Sequence, residues 1–212
     1  MLISSACIKG YRNLKEVNLE LNRLAIFIGE NNSGKSNILR ALTLPFLNNE
    51  IGAINKNLGW DDINGELKNE YFDFLKTNID TIKQKELNIE DFEIIIPYVS
   101  VKVSFQPKDA DEFYVRKWNN SLEEDKSLYQ IEYKYSVENP KQLLEHLENI
   151  LNGKTESDVE NLKLNLLPIE MYKYKIIVPA TNAQVGFTDL INFKYNSLTA
   201  EKDDFSRARW LH

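Results

Sequence analysis

The amino-acid sequence predicts a mixed α/β fold of the α+β kind, with an antiparallel group of strands and several inserted helices. Three observations lead to this prediction. Short alternating strands open the chain, an apolar run then passes through a glycine-containing loop into an amphipathic helix, and strand-like alternation returns from Tyr98 to Val137. The 212 residues are 42% hydrophobic and 27% charged, which is ordinary for a globular domain with a sizeable core.

Two short strands are predicted at the start of the chain. They cover residues 2–10 and 16–21, and in the second of them apolar and polar residues alternate as in a half-buried strand. Gly10 and Asn13 mark the turn between the two strands. The five apolar residues 24–28 then predict a central strand that is buried on both faces.

An amphipathic helix is predicted after the glycine-containing loop. Ile38, Leu42 and Phe46 recur at the helical spacing, and Pro45 bends or ends the helix. The polar stretch 48–91 is interpreted as a helical insertion. One face of its helix is marked by Leu67, Tyr71, Phe74, Leu75, Ile79 and Ile82.

The second half of the chain predicts three neighbouring strands and two helices. The strand patterns cover residues 99–105, 112–118 and 128–137, which together suggest an antiparallel meander. Helices are expected over 140–151 and 156–167, followed by a strand over 171–179. We interpret residues 1–212 as one lobe in three segments: 1–47 with the first strands, the loop and its helix, 48–91 with the helical insertion, and 92–212 with the antiparallel strands and further helices.

The loop at residues 29–36 has the sequence GENNSGKS, which is the P-loop pattern of a glycine, four residues, a glycine, a lysine and a serine. Glycine permits the backbone conformations that turn several N–H groups into one hollow, where they can hold a phosphate chain. Lys35 is expected to bridge the β- and γ-phosphates of ATP, and the Ser36 hydroxyl to ligate Mg²⁺. The alternative is a chance match, which the preceding apolar run and the following helical pattern argue against. The predicted cofactor-binding residues in and after the loop are Gly29, Glu30, Asn31, Asn32, Ser33, Gly34, Lys35, Ser36 and Asn37.

A dense motif spans residues 8–42, which read IKGYRNLKEVNLELNRLAIFIGENNSGKSNILRAL. A strand, an aromatic-basic-Asn element, a second strand and the glycine-containing loop follow one another in it. This arrangement resembles the N-terminus of the OLD-family, RecF and SMC group of ABC-type ATPases, and within that group it looks most like the OLD-type endonuclease ATPases. The resemblance implies the N-terminal lobe of an ABC-type P-loop ATPase, with an antiparallel β layer beside a P-loop α/β core and with ATP and Mg²⁺ as cofactors.

The resemblance also implies that the aromatic-basic-Asn element lies near the nucleotide. In this sequence the element maps to Arg12 and Asn13, which are therefore candidate cofactor-binding residues. The alternative is that Arg12 is a solvated turn residue and Asn13 a turn former. Asn37 follows Ser36 as it does in the family, and its alternative role is that of an ordinary residue in the first helical turn.

Several parts of a hydrolytic site are not recognised in the sequence. P-loop hydrolysis needs an acidic residue at the end of an apolar strand. The apolar runs 94–96 and 176–178 do not end in one, and Asp189 follows a stretch that does not resemble a strand. A serine-glycine-glycine signature and nuclease motifs are also not recognised. The resemblance therefore implies a partner, either a C-terminal ATPase half or a second subunit, and a homodimer in the complete protein, with DNA bound through the full assembly.

The bulk properties limit the other classes of function. The net charge of −6 argues against a freestanding nucleic-acid binder. No apolar run approaches the roughly 20 residues of a membrane-spanning helix, and a single cysteine, Cys7, fits a reducing compartment, so a cytoplasmic location is expected without a membrane partner. Cys7 is expected to be a small buried side chain, and His146 a surface or boundary residue.

Three interpretations of function remain open at this point. The favoured one is an ATP-binding lobe of an OLD-like ATPase or endonuclease that acts in DNA transactions such as defence or repair. The first alternative is a non-catalytic nucleotide-binding interaction module. The second is a self-contained small P-loop kinase or GTPase, which the absence of a recognisable acidic strand and base-reading motif makes the weaker alternative.

Overall fold

The computed structural model describes residues 2–48, 56–108, 111–120, 128–191 and 193–195. Its largest element is a six-stranded sheet in which every neighbouring pair of strands is antiparallel. Two short strands, β3 and β8, pair with each other in parallel outside this sheet. The strands are β1 (Leu2–Tyr11), β2 (Leu14–Glu20), β3 (Leu47–Asn48), β4 (Val99–Gln106), β5 (Tyr129–Val137), β6 (Tyr172–Val178), β7 (Ala183–Gln184) and β8 (Lys194–Tyr195). The order across the large sheet is β2-β1-β4-β5-β6-β7.

Most of the helices come from two parts of the chain, the segment between β3 and β4 and the segment between β5 and β6. They are α1 (Lys35–Ala41), α2 (Gly65–Thr77), α3 (Ile79–Lys83), α4 (Ile89–Ile95), α5 (Glu112–Val115), α6 (Pro140–Leu151), α7 (Glu156–Val159), α8 (Lys163–Leu166) and α9 (Phe187–Leu190). Single turns of 3₁₀ helix lie at Trp60–Asp62, Arg116–Trp118, Glu160–Leu162 and Ile169–Met171. Asn64 and Asn139 cap α2 and α6 by accepting backbone N–H groups of the first helical turn.

The core lies on one face of the large sheet, which we call the inner face. Its side chains alternate with those of the opposite, outer face, because successive residues of a strand point to opposite sides. The buried residues of the inner face include Ile8, Val99, Val101, Val103, Phe105, Ile131, Tyr133 and Tyr135. Buried helical residues such as Tyr71, Phe92 and Leu147 belong to the same hydrophobic cluster. The outer face is polar, with Ser100, Lys102 and Ser104 between the buried valines of β4.

Gly10 allows the chain to pass close to the neighbouring strand at the end of β1. Its φ angle is 72°, a left-handed value that glycine adopts without a steric penalty. A Cβ atom at this position would lie 2.0 Å from the backbone oxygen of Tyr98. The sequence therefore places a glycine where any side chain would collide with the backbone.

The antiparallel part of the sequence prediction is confirmed. The β1–β2 hairpin, the pairing of β4 with β5, helix α6 and strand β6 all form where the sequence predicts them. The third strand beside β4 and β5 is β6, whereas residues 112–118, predicted as a strand, form α5 and a 3₁₀ turn. Val115 and Trp118 are buried while Phe113 is exposed. The two buried residues are three positions apart, which is the spacing of one helical turn and not that of a strand.

The prediction of a buried central strand at residues 24–28 is wrong. No strand forms there, and the side chains of Leu24, Ile26 and Ile28 are 76%, 72% and 91% exposed. The apolar run has the composition of a central strand, but no strand of the described chain pairs with it. A run that is apolar on both faces can be buried only when strands and helices from elsewhere cover it.

The two helical segments also differ from the predictions in detail. The insertion is part of the core: Tyr71, Phe72, Leu75 and Ile82 are fully or almost fully buried. Its expected single helix is divided at Asn78 into α2 and α3. The helix expected over 156–167 is interrupted by a 3₁₀ turn between α7 and α8.

A buried lysine fixes the chain just after α1. Lys56 is 6% exposed, and its Nζ donates hydrogen bonds to the backbone oxygens of Leu44 and Phe46 at 2.6 and 2.5 Å. The backbone oxygen of Lys56 accepts a hydrogen bond from the Tyr133 hydroxyl on the inner face. Burial lowers the pKa of Lys56 from 10.5 to about 8. Lys56 therefore ties the turn after α1 to the sheet.

We predict a pH-dependent contribution of Lys56 to stability. Between pH 8 and 10.5 the unfolded chain holds this proton more strongly than the folded chain does, so the free energy of unfolding should rise with pH in this window, by up to about 3 kcal/mol. Urea unfolding of the wild type and of Lys56→Met at pH 8 and pH 10 measures this effect. The free energy of unfolding of the wild type minus that of Lys56→Met should rise with pH.

The matched control is Lys154→Met, which changes an exposed lysine. Its free-energy difference from the wild type should stay constant over the same pH range, because other titrating groups cancel in the comparison. A constant difference for Lys56→Met as well would contradict the prediction.

Candidate nucleotide-binding site

The glycine-containing loop forms an open cleft at the start of α1. Asn32 and Gly34 have left-handed backbone conformations, with φ angles of 65° and 97°. Asparagine and glycine are the residues that tolerate this conformation best. The resulting cleft has a volume of about 640 Å³. It is lined by Asn13, Asn31, Asn32, Ser33, Gly34, Lys35, Ser36 and Asn37.

Lys35 is folded back onto its own loop. Its Nζ donates to the backbone oxygens of Gly29 and Glu30 at 2.7 and 2.6 Å, and to the Ser33 hydroxyl at 3.2 Å. These acceptors are neutral, and a phosphate oxygen is a stronger partner for an ammonium group. The ammonium group can therefore exchange its loop acceptors for a phosphate without leaving the loop.

Ser36 is the only predicted metal ligand, and it lies in the cleft. Its side chain is exposed in the first turn of α1, beside Lys35. A serine hydroxyl beside bound phosphates is a suitable ligand for Mg²⁺, which takes oxygen ligands and keeps several waters. No cluster of three or more His, Cys, Asp or Glu side chains suited to a metal occurs in the described ranges.

The β1–β2 turn contacts the first turn of α1 through three side chains. The Asn37 Nδ2 donates to Asn13 Oδ1 at 2.8 Å, and Arg12 Nη1 donates to Asn37 Oδ1 at 3.3 Å. Asn13 also lies against Gly34, whose added Cβ would meet the Asn13 side chain at 3.0 Å. Asn13 thus lines the cleft, whereas Arg12 reaches it only through Asn37.

Asp62 and Asn64 are site-supporting residues that the sequence analysis missed. Asp62 Oδ1 accepts a hydrogen bond from Arg12 Nε at 2.8 Å, and the backbone oxygen of Asp62 accepts one from Arg12 N at 2.8 Å. The Asn64 side chain donates to the Arg12 backbone oxygen at 2.6 Å. Asn64 before a helical pattern is a cap signal in the sequence, but nothing in the sequence links it to Arg12, which is 52 residues away.

The remaining titratable residues considered in the sequence lie outside the cleft. Asp189 Oδ2 accepts from the Gly186 backbone N–H in the first turn of α9, and its other oxygen accepts from Lys117 Nζ at 2.9 Å. The Lys117 hydrogen bond and then that of Gly186 lower the pKa of Asp189. His146 Nε2 is hydrogen-bonded to the backbone oxygen of Asn165, a structural contact between α6 and α8. Cys7 is half-buried on the outer face, and burial raises the pKa of its thiol.

The comparisons with known proteins agree with the motif. The family model of the AAA ATPase domain matches residues 1–208, nearly the whole chain. This match supports an ATP-binding ATPase function and a nucleotide-binding site. None of the curated proteins compared with the chain matches it.

Among the described residues, no helix has the length and apolar character needed to cross a membrane. Ala200, Lys202 and Asp203, a small-x-basic-Asp pattern that resembles the region where an OLD-type chain passes toward its helical arm, lie outside the described residues.

We predict that the left-handed conformation of Gly34 is required for the loop. Gly34→Ala forces an alanine into a left-handed conformation against Asn13, and should lower the free energy of unfolding by about 1–2 kcal/mol. The matched control is Gly65→Ala, at the first position of α2, where an added Cβ meets nothing within 4 Å. Chemical unfolding of both variants measures the difference, and equal effects of the two substitutions would show that the described loop conformation is wrong.

Proposed function

The chain belongs to the AAA ATPase domain family, and from this premise we propose that it binds Mg²⁺·ATP in the cleft formed by residues 29–37. In this proposal it serves as one lobe of an ATPase, and hydrolysis requires a second lobe, supplied by a C-terminal half or by another subunit. The completed ATPase would form a homodimer and drive a DNA transaction such as defence or repair.

The proposal that the chain binds nucleotide rests on the geometry of the cleft. Two left-handed residues shape the loop, and Lys35 is held there by neutral oxygens that a phosphate can replace. Ser36 stands next to Lys35, so one phosphate chain can meet an ammonium group and a metal-ligating hydroxyl together. Asn13 and Asn37 add amide groups to the same wall.

The exposed run before the loop supports the need for a second lobe. Leu24, Ile26 and Ile28 are all largely exposed, although they directly precede the phosphate loop. An exposed apolar segment of this kind marks a surface that is covered in a larger assembly. Strands added beside residues 24–28 would bury the apolar run and would fix the position from which the loop starts.

The role in DNA transactions has a different support. It follows from the resemblance of residues 8–42 to the OLD-family, RecF and SMC group, in which ATP hydrolysis takes place where the loop of one lobe meets the signature of another. A nuclease activity would belong to a further part of an OLD-like protein. The nucleotide-binding proposal stands without either of these extensions.

A non-catalytic nucleotide-binding module is the second candidate. It is favoured by the lining of the cleft, which among the described residues includes no carboxylate that could orient water. Binding without groups that stabilise the transition state gives affinity but little rate. The two candidates differ in what happens when a complementary lobe is added, because only the first then hydrolyses ATP.

We predict that Lys35→Ala weakens binding of Mg²⁺·ATP by about tenfold or more, because an ammonium–phosphate hydrogen bond is lost. Isothermal titration calorimetry on the folded wild type and variant measures the change. Lys154→Ala, an exposed lysine on the helical side, should bind as the wild type does. Equal affinity of the wild type and Lys35→Ala would exclude the proposed site. Robust phosphate release by the isolated chain that disappears in Lys35→Ala would instead exclude the need for a second lobe.

A further inference from the structure

The outer face of the sheet carries a group of lysines that nucleotide binding does not use. Lys9 lies on β1, Lys134 on β5, and Lys173 and Lys175 on β6. We call these four residues the lysine row. Lys134, Lys173 and Lys175 are exposed, and Lys9 is half-buried. The strand register shows that they share the outer face with Ser100 and Lys102.

Three of these lysines lie in one line across the sheet. Lys9 is paired with Ser100, Ser100 with Lys134, and Lys134 with Lys175. Adjacent strands are about 4.8 Å apart, so the line from β1 to β6 is about 14 Å long. Lys173 lies two residues from Lys175 on the same face, about 7 Å along the strand. The positive charges are unevenly spaced, because Lys9 and Lys134 are two strands apart whereas Lys134 and Lys175 lie on adjacent strands.

This arrangement is unfavourable for the stability of the sheet. Like charges directly opposite one another on neighbouring strands destabilise it, and Lys134 directly opposes Lys175. Among the described residues, no carboxylate lies within ion-pair distance of any member of the lysine row. The opposition of Lys134 and Lys175 thus has no structural explanation within the described chain.

The outer face also carries carboxylates on both sides of the lysine row. Glu16 and Glu20 are on β2, and Glu16 is directly opposite Lys9. Glu132 is paired with Lys102 and accepts a hydrogen bond from the Ser100 hydroxyl at 2.5 Å. Glu138 follows the end of β5. The strands β5 and β6 together place three lysines and one carboxylate, Glu132, on this face, so this half is basic although the whole chain has a net charge of −6.

An aromatic ring holds two of the ammonium groups in place. The Nζ atoms of Lys9 and Lys134 lie 5.4 and 5.5 Å from the centroid of the Tyr98 ring. Contacts of this kind between a cation and an aromatic face are attractive. Tyr98 directly precedes β4, which lies between β1 and β5, so the ring lies between these two lysines and orders them.

We propose that the lysine row binds the phosphate backbone of DNA. Lys134, Lys173 and Lys175 are exposed cations without ion-paired carboxylates, which complement the phosphates of a DNA backbone, and release of the counterions of DNA drives such binding. Tyr98 holds Lys9 and Lys134 ready for the contact. The inference deepens the DNA-related part of the proposed function, and it places the DNA on the face of the sheet opposite to the helices.

The test uses the purified full chain and a short fluorescein-labelled DNA duplex of mixed sequence, with binding followed by fluorescence anisotropy over a series of salt concentrations. Lys134→Glu/Lys175→Glu should lower the affinity at low salt by more than about tenfold and reduce the slope of log affinity against log salt by about two. Lys134→Gln/Lys175→Gln, which removes charge without reversing it, should reduce the slope similarly. Thermal melting confirms that each variant is folded.

The matched control is Lys141→Glu/Lys154→Glu, which makes the same change in net charge at two exposed lysines of the helical side. It should retain most of the affinity of the wild type. Absence of DNA binding by the wild type at low salt, or an equal loss in the control, would overturn the proposal. Competition by polyglutamate as effective as that by unlabelled DNA would also overturn it, in favour of an acidic protein partner. Calorimetry with Mg²⁺·ATP on the same variants should be unchanged, which separates this inference from nucleotide binding.

Discussion

The arrangement of the candidate site depends on the hydrogen bonds made by one residue in the β1–β2 turn. Arg12 has a left-handed backbone conformation with a φ angle of 51°, which is unfavourable for a residue with a side chain. Its backbone N–H and oxygen bond to Asp62 and Asn64, and its guanidinium group bonds to Asp62 and Asn37. One residue thus joins the sheet, the segment before α2 and the first turn of α1.

The helix after the glycine-containing loop is held at both ends by such contacts. At its start, Asn37 bonds to Arg12 and Asn13, and beyond its end Lys56 bonds to the backbone of Leu44 and Phe46. Helix α1 has only seven residues, too few to be stable without external contacts. The antiparallel sheet therefore supplies the rigidity that the loop needs, while the apolar run on the other side of the loop is without a partner in the described chain.

The sequence predicted the features that depend on local patterns. Strand-like sequence patterns located β1, β2, β4, β5 and β6, and the apolar spacing of α6 gave its position, because one face of each packs on a core within the chain. Residues 24–28 were mispredicted for the opposite reason: their composition is that of a buried strand, but burial depends on neighbours that the local pattern does not specify. Residues 112–118 were mispredicted because aromatic and β-branched residues suit strands, although the inward spacing of Val115 and Trp118 fits a helical turn.

The loop residues were identified from the motif, and the structure places eight of the eleven candidate residues around one cleft. Gly29 and Glu30 contact it through the Lys35 hydrogen bonds, and Arg12 through Asn37. The partners of Arg12 could not be predicted, because Asp62 and Asn64 are brought to it only by the packing of the insertion on the sheet. Long-range contacts of this kind leave no periodic signal in a single sequence.

The central claim is that this loop, coupled to the β1–β2 turn, is where the phosphates of ATP bind. The most direct measurement is the change in backbone amide chemical shifts of the ¹⁵N-labelled chain when Mg²⁺·ATP is added. The account predicts the largest changes at residues 29–37, with smaller changes at Arg12 and Asn13. Unchanged amides in the loop, or changes concentrated in another part of the chain, would contradict it.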